Sequence, residues 1–173
     1  MPSIQERMIR AAKLDANLYE EVEADQGAMG QAMAVVVLSG VAAGIGSFAT
    51  GGLSGTVVGT IGALVGWYIW AFLTYFIGTR FLPEPETKAD QGELLRTIGF
   101  SSAPGLIRVL GIIPGLTSIV FSVAGIWMLV AMVIAVRQAL DDKSTWRAIA
   151  VCLLGWVIQA VILAVVPSMF ARS

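Results

Sequence analysis

The chain has 173 residues, of which 57% are hydrophobic and 13% charged, with a formal net charge of −1. Soluble proteins carry about 25% charged residues, so there are too few polar side chains here to clothe a water-exposed surface, and the chain needs lipid as its solvent. The charge balance excludes a basic nucleic-acid surface. The absence of histidine and the single cysteine, Cys152, exclude an intrachain disulfide framework, His/Cys metal sites and Cys–His catalysis.

Residues 4–22 read as an amphipathic helix. At about 100° per residue, Ile4, Met8, Ala11, Leu18, Tyr19 and Val22 share one face, and Glu6, Arg10, Lys13, Glu20 and Glu21 share the other. The polar face lacks the Lys/Arg richness of a strong lipid binder, which favours packing on the chain's own bundle or on a partner over attachment to lipid alone. Asp15 falls inside the apolar stripe, and a helix break near Asp15–Asn17 accounts for it better than a buried functional acid. The segment is acidic and amphipathic, without the basic-then-apolar pattern of a signal peptide.

After this segment, residues 1–27, the remainder, 28–173, reads as one transmembrane domain. Apolar runs of about 20 residues give five spans at about 28–48, 57–77, 94–113, 116–136 and 148–166. "ATGGLSG" (Ala49–Gly55) joins the first two as an uncharged flexible turn. Gly40/Gly44, Gly51/Gly55/Gly59 and Gly62/Gly66 recur at spacing four, which lets helix backbones approach closely. Packing between the first two spans is preferred to homodimerisation as the use of this stripe. Trp67, Tyr68 and Trp70 suit helix ends or interhelical packing. The polar loop Pro83–Glu93 has room for a short surface helix.

The third span holds "GFSSAPGLIRVLGIIPG" (Gly99–Gly115), where glycines, prolines and an arginine interrupt an apolar run. Pro104 removes a hydrogen bond to the Phe100 carbonyl, and Ser101 or Ser102 is close enough to satisfy it. Arg108 is the only interior charge in the five spans and lies within reach of the outer interface by snorkelling, with an anion-facing or partner-facing role as the alternative. Pro114-Gly115 reads as a tight hairpin before the fourth span. Asp142 or Ser144 suits the cap of the fifth helix, beside Trp146-Arg147.

Lys and Arg set the orientation. Arg7, Arg10 and Lys13, then Arg80, Lys88 and Arg96, then Arg137, Lys143 and Arg147 all fall on one side of a five-span layout. Cytoplasmic loops carry that excess, so the N-terminus is inside and the C-terminus outside.

Motifs for chemistry are absent. No phosphate-binding Gly-rich loop, HExxH or GxSxG occurs. The paired carboxylates (Glu20/Glu21, Glu84/Glu86, Asp141/Asp142) stand only in loops or before the first span, as solvated charges, and no span interior holds the acid that ion-coupled transport uses. The reading assigns no catalytic residue, metal or cofactor.

"GFSSAP" (Gly99–Pro104), "GIIPG" (Gly111–Gly115), "AVRQAL" (Ala135–Leu140) and "STWRAI" (Ser144–Ile149) together resemble the prokaryotic branch of the Yip-domain family, membrane proteins named for interaction with Ypt/Rab GTPases. The likeness covers nearly the whole chain from Leu94, and the rest more loosely. Asn17-Leu18-Tyr19 stands where eukaryotic members have Asp-Leu-Tyr-Gly-Pro, with Glu20-Glu21 in place of Gly-Pro, and Gly99-Phe100 stands for the family's Gly-Tyr. The resemblance implies a five-span layout with a cytoplasmic N-terminus and a lumenal or external C-terminus; eukaryotic relatives act in vesicle traffic through small GTPases and membrane shape.

The expectation is thus an all-α polytopic protein with five transmembrane helices and an N-terminal amphipathic helix, in the plasma (inner) membrane of a prokaryote. It acts as a protein- or lipid-binding scaffold, assembly factor or accessory subunit through Leu18, Tyr19, Gly99, Phe100, Pro104 and Arg108. Its partners are membrane lipids and other membrane proteins or further copies of itself. One alternative is a small permease or lipid-translocating protein with a groove of Ser101, Ser102, Thr117, Ser118, Ser122 and Gln159. Another is a self-associating membrane-shaping protein.

Overall fold

A computed structural model describes residues 2–82, 89–140 and 144–170, with side chains as far as Ile158 in the last helix. All regular structure among the described residues is helical. The N-terminal segment is two helices, α1 (Ile4–Ala12) and α2 (Ala16–Ala24). Ser3 caps α1 by accepting from the Glu6 amide. The break comes from a Schellman turn: Leu14 takes φ 61°, its amide donates to Ala11, and the Asp15 amide donates to Arg10. Asp15 then caps α2 through the Asn17 amide. Asp15 is therefore a cap, and the continuous helix over residues 4–22 is replaced by a hairpin.

A single 3₁₀ turn (Gln26–Ala28) leads into α3 (Met29–Gly46), and Ser47 joins α3 to α4 (Phe48–Phe76). A Cβ on Gly40 or Gly44 would meet Thr60 or Thr56 respectively, so α3 and α4 run antiparallel with the reversal near residue 50. Residues 49–55 are not a flexible turn. They are helical apart from Gly52, whose φ of 57° and ψ of −161° only glycine accepts readily. At its other end α4 widens into a π-helical turn, Ile77–Phe81.

Asp90 and Glu93 form a reciprocal capping box that starts α5 (Gln91–Phe100). The third expected span, 94–113, is not one helix. α5 stops at Phe100, and Ala103–Ile112 continues as a 3₁₀ segment with Pro104 near its start. Proline has no amide to donate, and i→i+3 bonds such as Gly105 to Ser102 replace the α-helical ladder. Gly115, at φ 86°, turns the chain into α6 (Thr117–Ala139). α7 spans Thr145–Phe170; its first turn bonds back to the Ser144 carbonyl, while Asp142 lies outside the described residues.

Among the described residues, three helical stretches are long and apolar enough to cross a membrane: Gln26–Gly46, Phe48–Phe81 and Thr117–Ala139. Two buried clusters hold the bundle. One joins α4, α5, α6 and α7 through residues such as Ala71, Leu94, Val136, Leu140 and Val151. The other brings Leu18, Tyr19 and Val22 of the N-terminal hairpin against Ala32 and Val35 of α3, Phe100, Ala103 and Ala135. The alanines in both permit the close helix approach that packing in lipid needs.

Candidate functional site

Five of the six residues singled out in the sequence face the protein's own interior. Leu18, Tyr19, Gly99, Phe100 and Pro104 are all buried. A side chain on Gly99 would stand 2.8 Å from the Ala32 Cβ, so glycine there lets α5 close onto α3. Phe100 packs in the cluster that holds Leu18 and Tyr19. The expected docking surface is corrected to an internal seam, filled by the chain's own N-terminal hairpin. Nor does Ser101 satisfy the Phe100 carbonyl: its hydroxyl donates to Ile98 at 2.7 Å.

A set of charges clasps the hairpin in place. Arg7, almost fully buried, donates to Glu21, Asp25 and Gln31 at 2.7 to 3.1 Å. Arg10 donates to Asp15 and Glu21. Burial works against the Arg7 charge, but the hydrogen bonds to Asp25 and Glu21 outweigh it and raise its pKa. The hydrogen bond from Arg10 is the main cause that lowers the Asp15 and Glu21 carboxyls, and the one from Arg7 lowers Asp25. Arg96 of α5 donates to the Val22 and Glu23 carbonyls. Sequence reading counts Arg7 only among the cations that set the orientation, although it stands three residues after Ile4 and four before Ala11, on the apolar face.

Arg108 has a different setting. It is half-buried, and its guanidinium does not snorkel toward the outer interface. It turns inward to α3, where it donates to the Ser39 hydroxyl at 2.7 Å and the Ser39 carbonyl at 3.3 Å. Its Nε donates to Gly105 at 3.1 Å, and its centre lies 5.9 Å from the Phe121 ring centroid. It has no carboxylate partner among the described residues. Arg108, Ser39, Ser101 and Ser102 line a chamber of about 360 Å³ at the junction of α3, α4, α5 and α6, walled otherwise by Trp67, Trp70 and apolar or small residues. Trp67 holds its wall by donating to the Leu95 carbonyl at 2.9 Å.

Beside it, between α6 and α7, lies an apolar cleft of about 760 Å³. Chamber and cleft share Trp70, Gly125, Leu129 and Met132. The groove expected for a permease is not assembled as drawn. Ser101 and Ser102 line the chamber, Thr117 donates to the Gly111 carbonyl, Ser118 and Ser122 are exposed on α6, and the Gln159 side chain lies outside the described ones.

The α4 glycines also differ from expectation. Gly55, Gly59, Gly62 and Gly66 have nothing within 4 Å of where a Cβ would stand, so they do not form the packing face toward α3. Leu53, Val58 and Ile61 on the same helix are exposed.

Among the described residues, no group of three or more Cys, Asp or Glu is placed to hold a metal ion. Compared with known proteins, residues 17–166 match the Yip1 domain family, a stretch running from α2 through most of α7. No curated protein and no solved structure matches the chain.

Proposed function

The chain belongs to the Yip1 domain family, and we propose that it is a non-enzymatic integral membrane protein of a prokaryotic plasma membrane. It works by binding, as a scaffold, assembly factor or accessory subunit, with five membrane crossings, a cytoplasmic N-terminus and an external C-terminus. In this reading residues 1–27 enter from the cytoplasmic side, with the hairpin turn reaching the middle of α6, and 28–173 form the membrane domain. α5 with the 3₁₀ segment makes the third crossing and α7 the fifth.

The orientation is supported by cations from separate segments that gather at one end of the bundle. Arg96 bonds to carbonyls of α2, and Arg147 to carbonyls of Gly78 and Leu82. The basic side of a bundle is its cytoplasmic side.

One observation carries the binding role: α4 crosses with little of its surface covered, and its glycines at spacing three and four face open space beside exposed Leu53, Val58 and Ile61. A second membrane helix gains dispersion contacts along such a face that lipid tails do not match. This moves the partner-facing role from Leu18, Tyr19, Gly99, Phe100 and Pro104 to α4. Purification from the native membrane in mild detergent, with mass spectrometry of what accompanies the chain, tests it. A protein recovered in fixed ratio is the expected result, and recovery of the chain alone as a monomer contradicts it.

The same face favours self-association as a second reading. Recovery of a dimer with no other polypeptide selects that reading over the first.

A further inference from the structure

Arg108 presents a problem that its own protein contacts do not solve. A guanidinium has five N–H donors and a charge that cannot be shed. Here Nε and one terminal nitrogen are used on Gly105 and Ser39, and the other terminal nitrogen makes no hydrogen bond among the described residues. No carboxylate neutralises the charge there, although this arginine lies in a segment flanked by apolar helices. Charge at membrane depth is costly, and such residues pair with a counter-charge or line a functional cavity. The Arg108 side chain lines one.

The shape of the space narrows the counter-charge. Beyond Arg108, the polar lining consists mainly of Ser39, Ser101 and Ser102, with no acid to receive an ammonium group. The chamber then adjoins the larger cleft between α6 and α7 through the shared Trp70, Gly125, Leu129 and Met132. Both volumes lie in the range of about 300–1,000 Å³ typical of ligand sites. A small polar end with one uncompensated cation, sharing four lining residues with an apolar cleft, complements an amphiphile with one anionic head.

We propose that the chamber binds the phosphate of an anionic phospholipid, held by Arg108 and the Ser39 hydroxyl, with the acyl chains lying in the α6–α7 cleft. The inference rests on the reading of this chain as a binding protein and names the lipid class it takes. A free phosphate ion shares the head-group chemistry but leaves the cleft unused. A zwitterionic lipid brings an ammonium group for which the described lining offers no carboxylate.

Native mass spectrometry of the full chain in detergent, titrated with phosphatidylglycerol, phosphatidylethanolamine or inorganic phosphate, tests this. One phosphatidylglycerol per chain is expected, at least 10-fold tighter than phosphatidylethanolamine. Arg108→Gln should weaken it 10-fold or more. Val130→Trp, at a residue that lines the cleft and not the chamber, should fill the cleft and weaken the lipid similarly while leaving any phosphate binding unchanged. Thermal unfolding checks that each variant is folded, and Arg108→Lys, which keeps the charge, replaces the glutamine variant if that one does not fold and should retain the preference for phosphatidylglycerol. Equal binding of the two lipids, wild-type affinity in Arg108→Gln, loss of the preference in a folded Arg108→Lys, or displacement of phosphatidylglycerol by millimolar phosphate overturns the proposal. Failure here with a protein partner still co-purifying leaves the scaffold reading intact, and lipid binding with no partner does the reverse.

Discussion

The indole nitrogen of Trp127, near the middle of α6, donates to the carbonyl oxygen of Ala12 at the end of α1, 2.9 Å away. The turn between the two N-terminal helices is thereby held along the bundle, where α2 packs on α5 and α6. Gln138 adds a second tie by donating to Glu20 at 2.7 Å. The N-terminal segment is thus part of the folded core. Its charges are directed at one another, and its apolar residues at Phe100, Ala32 and Ala135.

The clasp should open in acid. Asp15, Glu21 and Asp25 have carboxyls lowered by their arginine partners. A depressed carboxyl contributes stability that is fully present above its ordinary value near pH 4 and is lost as pH falls through the depressed value. Arg7 and Arg10, raised in the fold, stay charged throughout and add no loss in this window. Spin labels on Gln5→Cys and Ser122→Cys should report one narrow distance from pH 6 to 9 and a broad distribution once pH falls below the depressed carboxyl range. Arg7→Met should give the broad distribution at every pH. An unchanged distribution in acid contradicts the ion-pair account.

Tyr19 is fully buried, and its hydroxyl has no hydrogen-bond partner among the described residues. An unmade buried hydrogen bond costs about 1–3 kcal/mol. Tyr19→Phe should therefore leave stability unchanged or raise it by about 1 kcal/mol, whereas Tyr19→Ala should cost about 3–5 kcal/mol by opening a cavity. Reversible unfolding in mixed micelles measures both. A large loss in the phenylalanine variant would show that the hydroxyl has a partner.

Two glycines should respond with opposite signs. A Cβ on Gly46 would run into the Arg108 backbone carbonyl, which cannot rotate away, so Gly46→Ala should cost about 1–3 kcal/mol. Gly59 has nothing within 4 Å, and Gly59→Ala should be neutral or stabilise by up to about 1 kcal/mol through helix propensity. Melting temperatures of the two variants in detergent decide this.

Hydropathy located α3 and α6 closely, because long apolar runs between turn residues leave few alternatives. It misread the third segment, since apolar content is the same in an α-helix and a 3₁₀ helix and only the placement of Pro104 after Ser101-Ser102 hinted at the change. Leu18, Tyr19 and Phe100 looked like a surface because an apolar stripe reads identically whether it covers a partner or its own bundle. The break at Asp15 was legible from an acid in an apolar stripe, while the positive φ of Leu14 carried no glycine or asparagine to announce it. Arg108 was found as the lone interior charge. Its inward turn to Ser39 was not legible, because a side chain that long reaches either way along the bundle.

Whether α4 presents a face for another helix is decided by a single comparison. The tagged wild-type chain and a Gly59→Leu/Gly62→Leu variant are purified in parallel from the native membrane in mild detergent, and co-purifying protein is quantified by mass spectrometry. Nothing lies within 4 Å of where a Cβ would stand at either position, and equal yield and melting temperature of the two proteins check that the fold is kept. The account predicts a partner in fixed ratio with the wild-type chain and its loss from the variant. A wild-type chain that emerges alone as a monomer, or a partner retained equally by both, would contradict it.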